Sequence, residues 1–302
     1  MSNFYMTVGL PASGKSTYAH LLGCEVVSSD AIRLELFGDE NDQNHNGEVF
    51  NELHRRIRSA INENKDVVYD ATNLSRKRRK NFLKTLPKDV RKICICMCTD
   101  YNICLIQNSQ RSRNVPEDVL FNMYKNISIP ILTEGWDEIQ YIQHGSNRAE
   151  REFYMDYNQD NPRHSLTLGQ HMSKARSYIL QNYAIPDSGI LACAAQYHDI
   201  GKPVCKTYKT YSGKIDDHAH YYNHADVGAY IYLCYPDTPK QYISLKEYPI
   251  ADDALNIALL ISQHMIFFDS NHDKIMDDLA KSYGDKFVED LKALHEADLF
   301  AH

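Results

Sequence analysis

The rhythm of apolar and polar positions changes once along this chain. In the first half, short apolar runs at Phe4-Tyr5-Met6-Thr7-Val8 and at residues 24–28, 66–69 and 92–97 alternate with polar stretches, notably 48–64 and 75–85, whose apolar residues recur at helical spacing. Runs of that length bounded by turn residues predict buried strands, and the 3.6-residue period predicts helices. A helix over 15–22 and a last strand over 138–143 complete the series. Strands alternating with helices imply a mostly parallel sheet with helices on both faces. Beyond residue 162 the alternation stops, and helical spacing dominates 166–183, 189–197, 225–234, 254–267 and 286–300. The second half is therefore predicted to be all-α. Residues 145–162 are polar and rich in Asn, Asp, Arg and Glu, the composition of a charged linker or peripheral helix. The expected layout is an α/β domain over 1–145, a linker over 146–162 and an all-α domain over 163–302.

Composition adds boundaries to this layout. At 302 residues the chain exceeds the size at which one core usually stops growing, so two domains are expected. A hydrophobic content of 43% argues against extended disorder. The net charge of −7 excludes a uniformly basic nucleic-acid coat but leaves room for local basic grooves. Eight cysteines without a secretory leader point to a reducing compartment, expected to be the cytoplasm of a bacterial or phage-infected cell. Cys94, Cys96 and Cys98 share one face of a strand and read as small core residues before they read as metal ligands. No apolar run reaches membrane-spanning length, so no membrane partner is expected.

The first candidate chemistry follows the first strand. Gly9-Leu10-Pro11-Ala12-Ser13-Gly14-Lys15-Ser16-Thr17 has the Gly-x-x-x-x-Gly-Lys-Ser spacing of a phosphate-binding loop. Such a loop turns successive N–H groups toward an anion. Lys15 would neutralise β/γ-phosphate oxygens and the Ser16 hydroxyl would hold Mg²⁺, with Gly9, Ser13, Gly14 and Thr17 completing the nucleotide cradle. Asp30, after the second strand, is placed to accept a proton from an acceptor hydroxyl, with Arg33 binding substrate phosphate; alone, Asp30 reads as a helix N-cap. Asp70-Ala71-Thr72-Asn73-Leu74 ends another strand. Arg111 and Arg113, ahead of Pro116, form a candidate lid over transferring phosphates. The run Arg76-Lys77-Arg78-Arg79-Lys80 reads first as a solvated helix face, and as a nucleic-acid contact only if a polymer path exists.

Asp30…Arg33, Asp70-Ala71-Thr72-Asn73-Leu74, and Arg111 ahead of Val115-Pro116-Glu117-Asp118-Val119-Leu120 together resemble the phage-type polynucleotide 5′-hydroxyl kinases, over about residues 4–142. The resemblance implies Lys15 and Ser16 on ATP (or another nucleoside triphosphate) and Mg²⁺, Asp30 as general base, Arg33 and Asp70 at the acceptor end, and Arg111 as lid arginine. Gln107 stands where such lids can carry a further arginine, which leaves the division of labour between Arg111 and Arg113 open.

The second candidate chemistry is His198-Asp199-Ile200-Gly201-Lys202-Pro203, at the end of an apolar helical stretch. Adjacent helix residues diverge by about 100°, so both reach one cation only at a bend, which Gly201 and Pro203 supply. Any single histidine among the 14 reads as a satisfied core or surface residue. The ordered set His171…His198-Asp199…Asp298 resembles the HD-type metal-dependent phosphohydrolases over about residues 163–302. That resemblance implies His171, His198, Asp199 and Asp298 around one metal, His224 and His264 around a second, and Lys202 on phosphate. His218 and His220 remain alternative sources of the downstream ligand and otherwise, with His295 and His302, fall outside the set. Imidazole with carboxylate suits one or two ions of Mn, Fe, Ni, Co or Zn.

Taken together, the expectation is a bifunctional enzyme healing nucleic-acid ends, RNA favoured, that phosphorylates 5′-hydroxyls and hydrolyses 2′,3′-cyclic and 3′-phosphates. No nucleotidyl-lysine motif is apparent, so a separate RNA ligase is the expected partner. Two alternatives stand beside it: a small-molecule kinase fused to a nucleotide phosphohydrolase, and a kinase regulated by a non-catalytic nucleotide sensor. The oligomeric state is not encoded in any of these patterns.

Overall fold

The computed structural model describes residues 2–144, 156–162, 164–184, 188–234, 248–249 and 252–302. The chain forms two compact units. Unit 1 comprises Met1–Tyr124, Pro130–Gly145 and Ser244–Pro249; unit 2 comprises Lys125–Ile129, Ser146–Ile243 and Ile250–His302. Residues 145–155 of the predicted linker lie outside the described residues.

Unit 1 runs β1 (Asn3–Val8), α1 (Lys15–Leu21), β2 (Glu25–Ser28), α2 (Ser29–Phe37), α3 (Asn46–Asn62), β3 (Val67–Asp70), α4 (Arg76–Leu83), β4 (Arg91–Thr99), α5 (Tyr101–Ser109), α6 (Glu117–Lys125) and β5 (Glu138–His144). The sheet order is β2-β3-β1-β4-β5, all parallel, with a two-residue antiparallel edge strand at Tyr248–Pro249. In β4, Ile93, Ile95 and Met97 on one face and Cys94, Cys96 and Cys98 on the other are all buried. A strand covered on both faces loses period-two patterning and becomes a continuous apolar run. The helices that cover it carry one apolar stripe each: Val49, Leu53, Ile57 and Ala60 on α3 are buried at helical spacing.

This topology positions chemistry. The chain leaves β1 toward β3 and β2 on one side and β4 and β5 on the other, so the loop after β1 sits where the strand order reverses, the usual ligand crevice of such sheets. Ser28 pairs with Asp70 across β2 and β3, which sets the carboxyl ends of both strands side by side.

Unit 2 contains α7 (Leu168–Asn182), α8 (Ser188–Tyr197), α9 (Lys202–Cys205), β6 (Thr207–Lys209), β7 (Ile215–His220), α10 (His224–Cys234), α11 (Asp252–Gln263), α12 (His272–Tyr283) and α13 (Asp285–Ala301). Helix α7 packs on α8 and α13, and α11 on α8 and α10. Small residues make this close: Ala192, Ala194 and Ala195 of α8 and Ala229 of α10 are buried. The all-α expectation needs one correction, because β6 and β7 form an antiparallel hairpin turning at Gly213, whose φ is +84°. Its strands are too short and too polar to register as an apolar period. A second correction concerns the linker: Gln159 is buried, and the Asp160 carbonyl accepts from the Ala219 amide, so this part of it packs into unit 2.

Among the described residues, no helix is long and apolar enough to cross a membrane. All eight cysteines are free thiols.

Candidate functional site

In unit 1 the loop after β1 takes the shape its glycines permit. Gly9 has φ +153°, and a Cβ there would stand 2.8 Å from the Ser13 hydroxyl and 3.1 Å from Met97 Cβ. Gly14 has φ +91° and Ala12 +61°, so the backbone doubles back on itself. The Ser13 amide donates to the Leu10 carbonyl (3.2 Å), and the Thr99 hydroxyl to the Ser13 carbonyl (2.9 Å). Lys15 lies buried across the loop, donating to the Leu10 carbonyl and to Ser13 Oγ (3.3 Å). Burial lowers its pKa, with Asp70 and Asp30 opposing.

Asp70 ends β3 and accepts from two hydroxyls, Thr7 (3.0 Å) and Ser16 (2.7 Å). The resemblance put Asp70 at the acceptor end; its contacts here set it against Ser16, the hydroxyl expected on Mg²⁺. Asn73, at φ +47°, donates to the Thr7 carbonyl (2.9 Å), and the Gly9 amide donates to the Thr72 carbonyl (3.1 Å). The loop after β3 is thus bonded to the start of the phosphate loop.

Asp30 lies in the first turn of α2 behind Ser28 as N-cap, so it is not itself the cap. It is partly exposed and pairs with Arg33 Nη1 (2.8 Å) and with Arg113. Burial acts to raise its pKa, but the Arg113 hydrogen bond and the charges of Arg113, Arg33 and Arg111 prevail and lower it. Arg33 is buried and also bonds Asn46 (2.9 Å). Arg113 pairs with Asp30, whereas Arg111 is exposed. This candidate lid segment is held by a residue that no motif marks: buried Asn108 donates to Asn114 (2.5 Å) and the Val115 carbonyl (2.8 Å) and accepts from the Val115 amide (3.0 Å).

The basic run divides. Lys77, Arg78 and Lys80 are exposed, whereas Arg79 is buried in a two-pronged pair with Glu134 (2.7 and 2.8 Å) and donates to the carbonyls of Asn73 (2.9 Å) and Leu74 (3.0 Å). One charge of the run secures the loop after β3; it does not face solvent.

In unit 2, six predicted ligands meet in a buried cluster. His171 Nε2 lies 3.1 Å from His198 Nε2, 3.1 Å from Asp298 Oδ1 and 3.3 Å from Asp199 Oδ2. His198 Nε2 lies 3.4 Å from the same two carboxylate oxygens. The other oxygen of Asp199 faces His224 Nε2 (3.1 Å) and His264 Nε2 (3.7 Å), which stand 3.2 Å apart. Asp199 is shared between two imidazole sets.

A local device aims these rings. Nδ1 of His198, His224 and His264 faces the carbonyl of Ala195 (2.9 Å), Tyr221 (2.7 Å) and Ile261 (2.7 Å), each three residues earlier. Only an N–H can face a carbonyl oxygen at that distance, so Nδ1 carries the proton and Nε2 is left to the cluster. The Ala195 and Ile261 carbonyls belong to the last turns of α8 and α11, where backbone acceptors lack helical partners. Close approach completes the arrangement: a Cβ on Gly201 would lie 2.1 Å from the His224 carbonyl oxygen and 2.6 Å from the Gly228 amide. Gly201 brings the start of α10 against the turn that carries Asp199.

The donor set fits a divalent cation. Ligand bonds of about 2.0–2.1 Å place neighbouring donors about 3.0 Å apart at a right angle and about 3.4 Å apart at the tetrahedral angle. The separations in the first set span 3.1–3.4 Å. Burial acts to lower the His198 pKa, yet Asp199 and Asp298 outweigh it and push it up to about 10. The Asp199 carboxyl is held far below the usual range: burial would raise it, but Lys202 and the histidines dominate. The site thus attracts positive charge strongly.

The neighbours bring corrections. Lys202, expected on phosphate, is buried on Asp199 Oδ2 (2.6 Å) and Gln159 (2.9 Å). His302, left outside the set, comes within 3.6 Å of Asp298 and stacks near His171 and His164. His164, which no spacing singles out, has a buried Nδ1 without a partner. Of the alternatives for the downstream imidazole, His220 pairs with Asp216 (2.9 Å) and His218 is exposed, whereas His224 lies 3.1 Å from Asp199 in the cluster; His295 stacks on Phe267.

Residues 4–130 match the family model described as an AAA domain. Unit 1 is a P-loop, kinase-like α/β domain. The L-seryl-tRNA(Sec) kinase of Methanococcus maripaludis is 24% identical over 137 residues, 43% of this chain and 54% of that protein. The chain thus spans about half the length of this curated relative. Among solved structures, a Pnkp1/Rnl/Hen1 complex shares 21% identity over 38% of this chain and 40% of its own, at a TM-score of 0.33. A gluconokinase from Sinorhizobium meliloti shares 17% over 49% and 86%, at 0.35.

Proposed function

We infer that the chain heals broken nucleic-acid ends, RNA in particular, by phosphorylating a 5′-hydroxyl in unit 1 and hydrolysing a 2′,3′-cyclic or 3′-phosphate in unit 2. The observation that carries this reading is the Asp199 carboxylate shared between two buried imidazole sets in a chain that also holds a phosphate-donor loop. Metal-independent cleavage of RNA leaves a 5′-hydroxyl and a 2′,3′-cyclic phosphate together, so the two chemistries answer one kind of damage. The curated relative's name places its acceptor hydroxyl on tRNA, which agrees with an RNA-borne acceptor.

In unit 1, ATP–Mg²⁺ supplies the phosphoryl group, with Ser16 and Asp70 placed for the metal and Lys15 for the phosphates. Asp30 would accept the proton of the attacking hydroxyl; its flanking arginines keep it ionised, and Arg113, paired with Asp30 here, would be available to the transferring phosphate. In unit 2, a transition metal ion of the Mn, Fe, Ni, Co or Zn group, if held there, would supply water activation and Lewis-acid neutralisation of phosphate charge. His171, His198, Asp199 and Asp298 would hold one ion, and His224, His264 and Asp199 a second. Lys202 fixes the Asp199 carboxylate between the two sets. These side chains resemble the pattern of HD-type phosphohydrolases, and that resemblance supports the second half of this proposal.

One RNA carrying a 5′-hydroxyl and a 2′,3′-cyclic phosphate tests both halves. Incubation with ATP, Mg²⁺ and Mn²⁺ is expected to give 5′-phosphate and 3′-hydroxyl ends. Phosphate transfer to mononucleosides in preference to the oligonucleotide overturns the first half. An unaltered cyclic end under every divalent metal overturns the second.

A further inference from the structure

The β6–β7 hairpin takes part in neither proposed reaction, yet it springs from the metal cluster. Tyr221, whose carbonyl aims His224, lies with its ring 5.6 Å from the Lys202 ammonium that holds Asp199. Ala219 and Tyr221 turn toward the body of unit 2: Ala219 is fully buried, and the Tyr221 hydroxyl donates to the Gln159 carbonyl. Alternation along β7 then puts His220 on the opposite side, and Tyr222, in the turn that follows the strand, lies beside it. There the rings line up. His220 stacks on Tyr222 at 5.4 Å and an interplanar angle of 7°, and Tyr211 at the tip meets Tyr222 edge-on at 5.7 Å.

These rings are open. Tyr211 is 92% exposed, Tyr222 41% and Tyr208 43%. Exposing three tyrosines on a short hairpin and the turn after it has no value for the unit's core. Among the polar residues between them, Lys209 and Lys214 are both exposed on the hairpin, as is Asp217, and Lys206 lies 5.6 Å from the Tyr208 ring. Open aromatic faces with ammonium groups at intervals are the two components that bind single-stranded nucleic acid, one stacking on bases and the other following phosphates. Asp216 is engaged with His220 and Asp160 with Lys206 and Tyr208, which leaves less free negative charge on this face.

We propose that the outer face of this hairpin, Tyr222, His220 and Tyr211, is a stacking platform for unpaired bases of the strand whose phosphate-bearing end enters the Asp199 cluster. The proposal rests on the hydrolytic half of the function above, and continuity with that cluster through Tyr221 and Lys202 selects this occupant. The platform would let the enzyme prefer an end on a flexible strand to a free nucleotide. Stacking reads no sequence, so any base would serve.

The test compares hexauridylate ending in a 2′,3′-cyclic phosphate with uridine 2′,3′-cyclic monophosphate. Tyr211→Ala and Tyr222→Ala are each expected to lower kcat/KM on the hexamer by about 10-fold. The ratio of hexamer to monomer kcat/KM should fall equally. Equal losses on both substrates, or no loss on the hexamer, overturn the platform. If the wild-type protein hydrolyses neither, the hydrolytic function fails and the platform is judged by binding alone. Tyr222→Trp fluorescence titrated with hexauridylate should be quenched, and Tyr211→Ala in that background should weaken the quenching; an unchanged signal overturns it. Dimerisation abolished by Tyr211→Ala, with no effect of the oligonucleotide, would assign the face to a second copy instead.

Discussion

The two candidate sites are built in opposite ways. The unit 1 site is assembled from loops at the carboxyl ends of parallel strands, and its charged groups neutralise one another: Asp30 with Arg33 and Arg113, Lys15 with its own loop. These partners exchange readily for a nucleotide and an acceptor, which suits a site that opens and closes. The unit 2 cluster is assembled from helix ends and is almost wholly buried. Its imidazoles are oriented by backbone carbonyls three residues earlier, so their aim is set by the helices themselves and not by a ligand. Ion pairs at the first site can be traded for substrate, and the converging lone pairs of the second suit a cation.

The largest effect that separates the two sites comes from Asp199→Asn. It removes the carboxylate shared by both imidazole sets, a loss of several kcal/mol in stabilising the phosphate under attack. Phosphate release from a cyclic end is expected to drop by about 10³-fold or more, and metal analysis should show both positions depleted, while 5′-phosphorylation stays within about 2-fold. Chelation should reproduce this and added Mn²⁺ reverse it in the wild-type protein.

The converse change is Lys15→Ala, which should lower 5′-phosphorylation by roughly 10²–10³-fold and leave phosphate release intact. A fall in both activities would mean that the sites are not independent, and the comparison would break.

Gly201→Ala tests rigidity. Its Cβ would meet backbone on α10, which cannot swing aside as a side chain can. The cost is expected to be about 1–3 kcal/mol, read as a lower Tm, together with loss of the metal held by His224 and His264. Retention of that metal at full stability would show that the helix start can retreat, contrary to a cluster set by packing.

The smallest effect concerns pH in the mobile site. The pKa of Asp30 lies below its ordinary 3.8 in the folded protein, so its pairing with Arg113 contributes stability above that value and loses it as pH falls through the lower folded value. Arg113→Ala should move the acid limb of 5′-phosphorylation upward toward 3.8. An unmoved limb would assign the lowered pKa to Arg33 and Arg111 instead.

The two sites differ in how legible they are in the sequence, and the reason is physical. Gly9 to Thr17 and Asp70 to Asn73 act through backbone conformation over a few consecutive residues, so their spacing carries the chemistry directly. The buried β4 run and the helical periods of α7, α8, α10, α11 and α13 are equally local. Arg79 departs from the solvated face its neighbours suggest, because nothing in a run of five bases tells which one meets Glu134, 55 residues away. The hairpin leaves no signal because Tyr208, Tyr211 and Ile215 are exposed and only Ala219 is buried, which makes no apolar period.

Residue types, their order and the short-range turns were therefore determined by sequence alone: a phosphate loop behind a strand, a His-Asp pair at a helix end, histidines on separate helices. Tertiary structure decided which of them meet. It chose His224 over His218 and His220, drew His302 and Gln159 toward the cluster, set Lys202 on Asp199, and gave the lid contact with Asp30 to Arg113. Those choices depend on which helix ends approach within a few ångströms, and that approach is set by close packing of residues such as Gly201 and Gly228, which lie near Asp199 and His224 but on segments far apart in the chain.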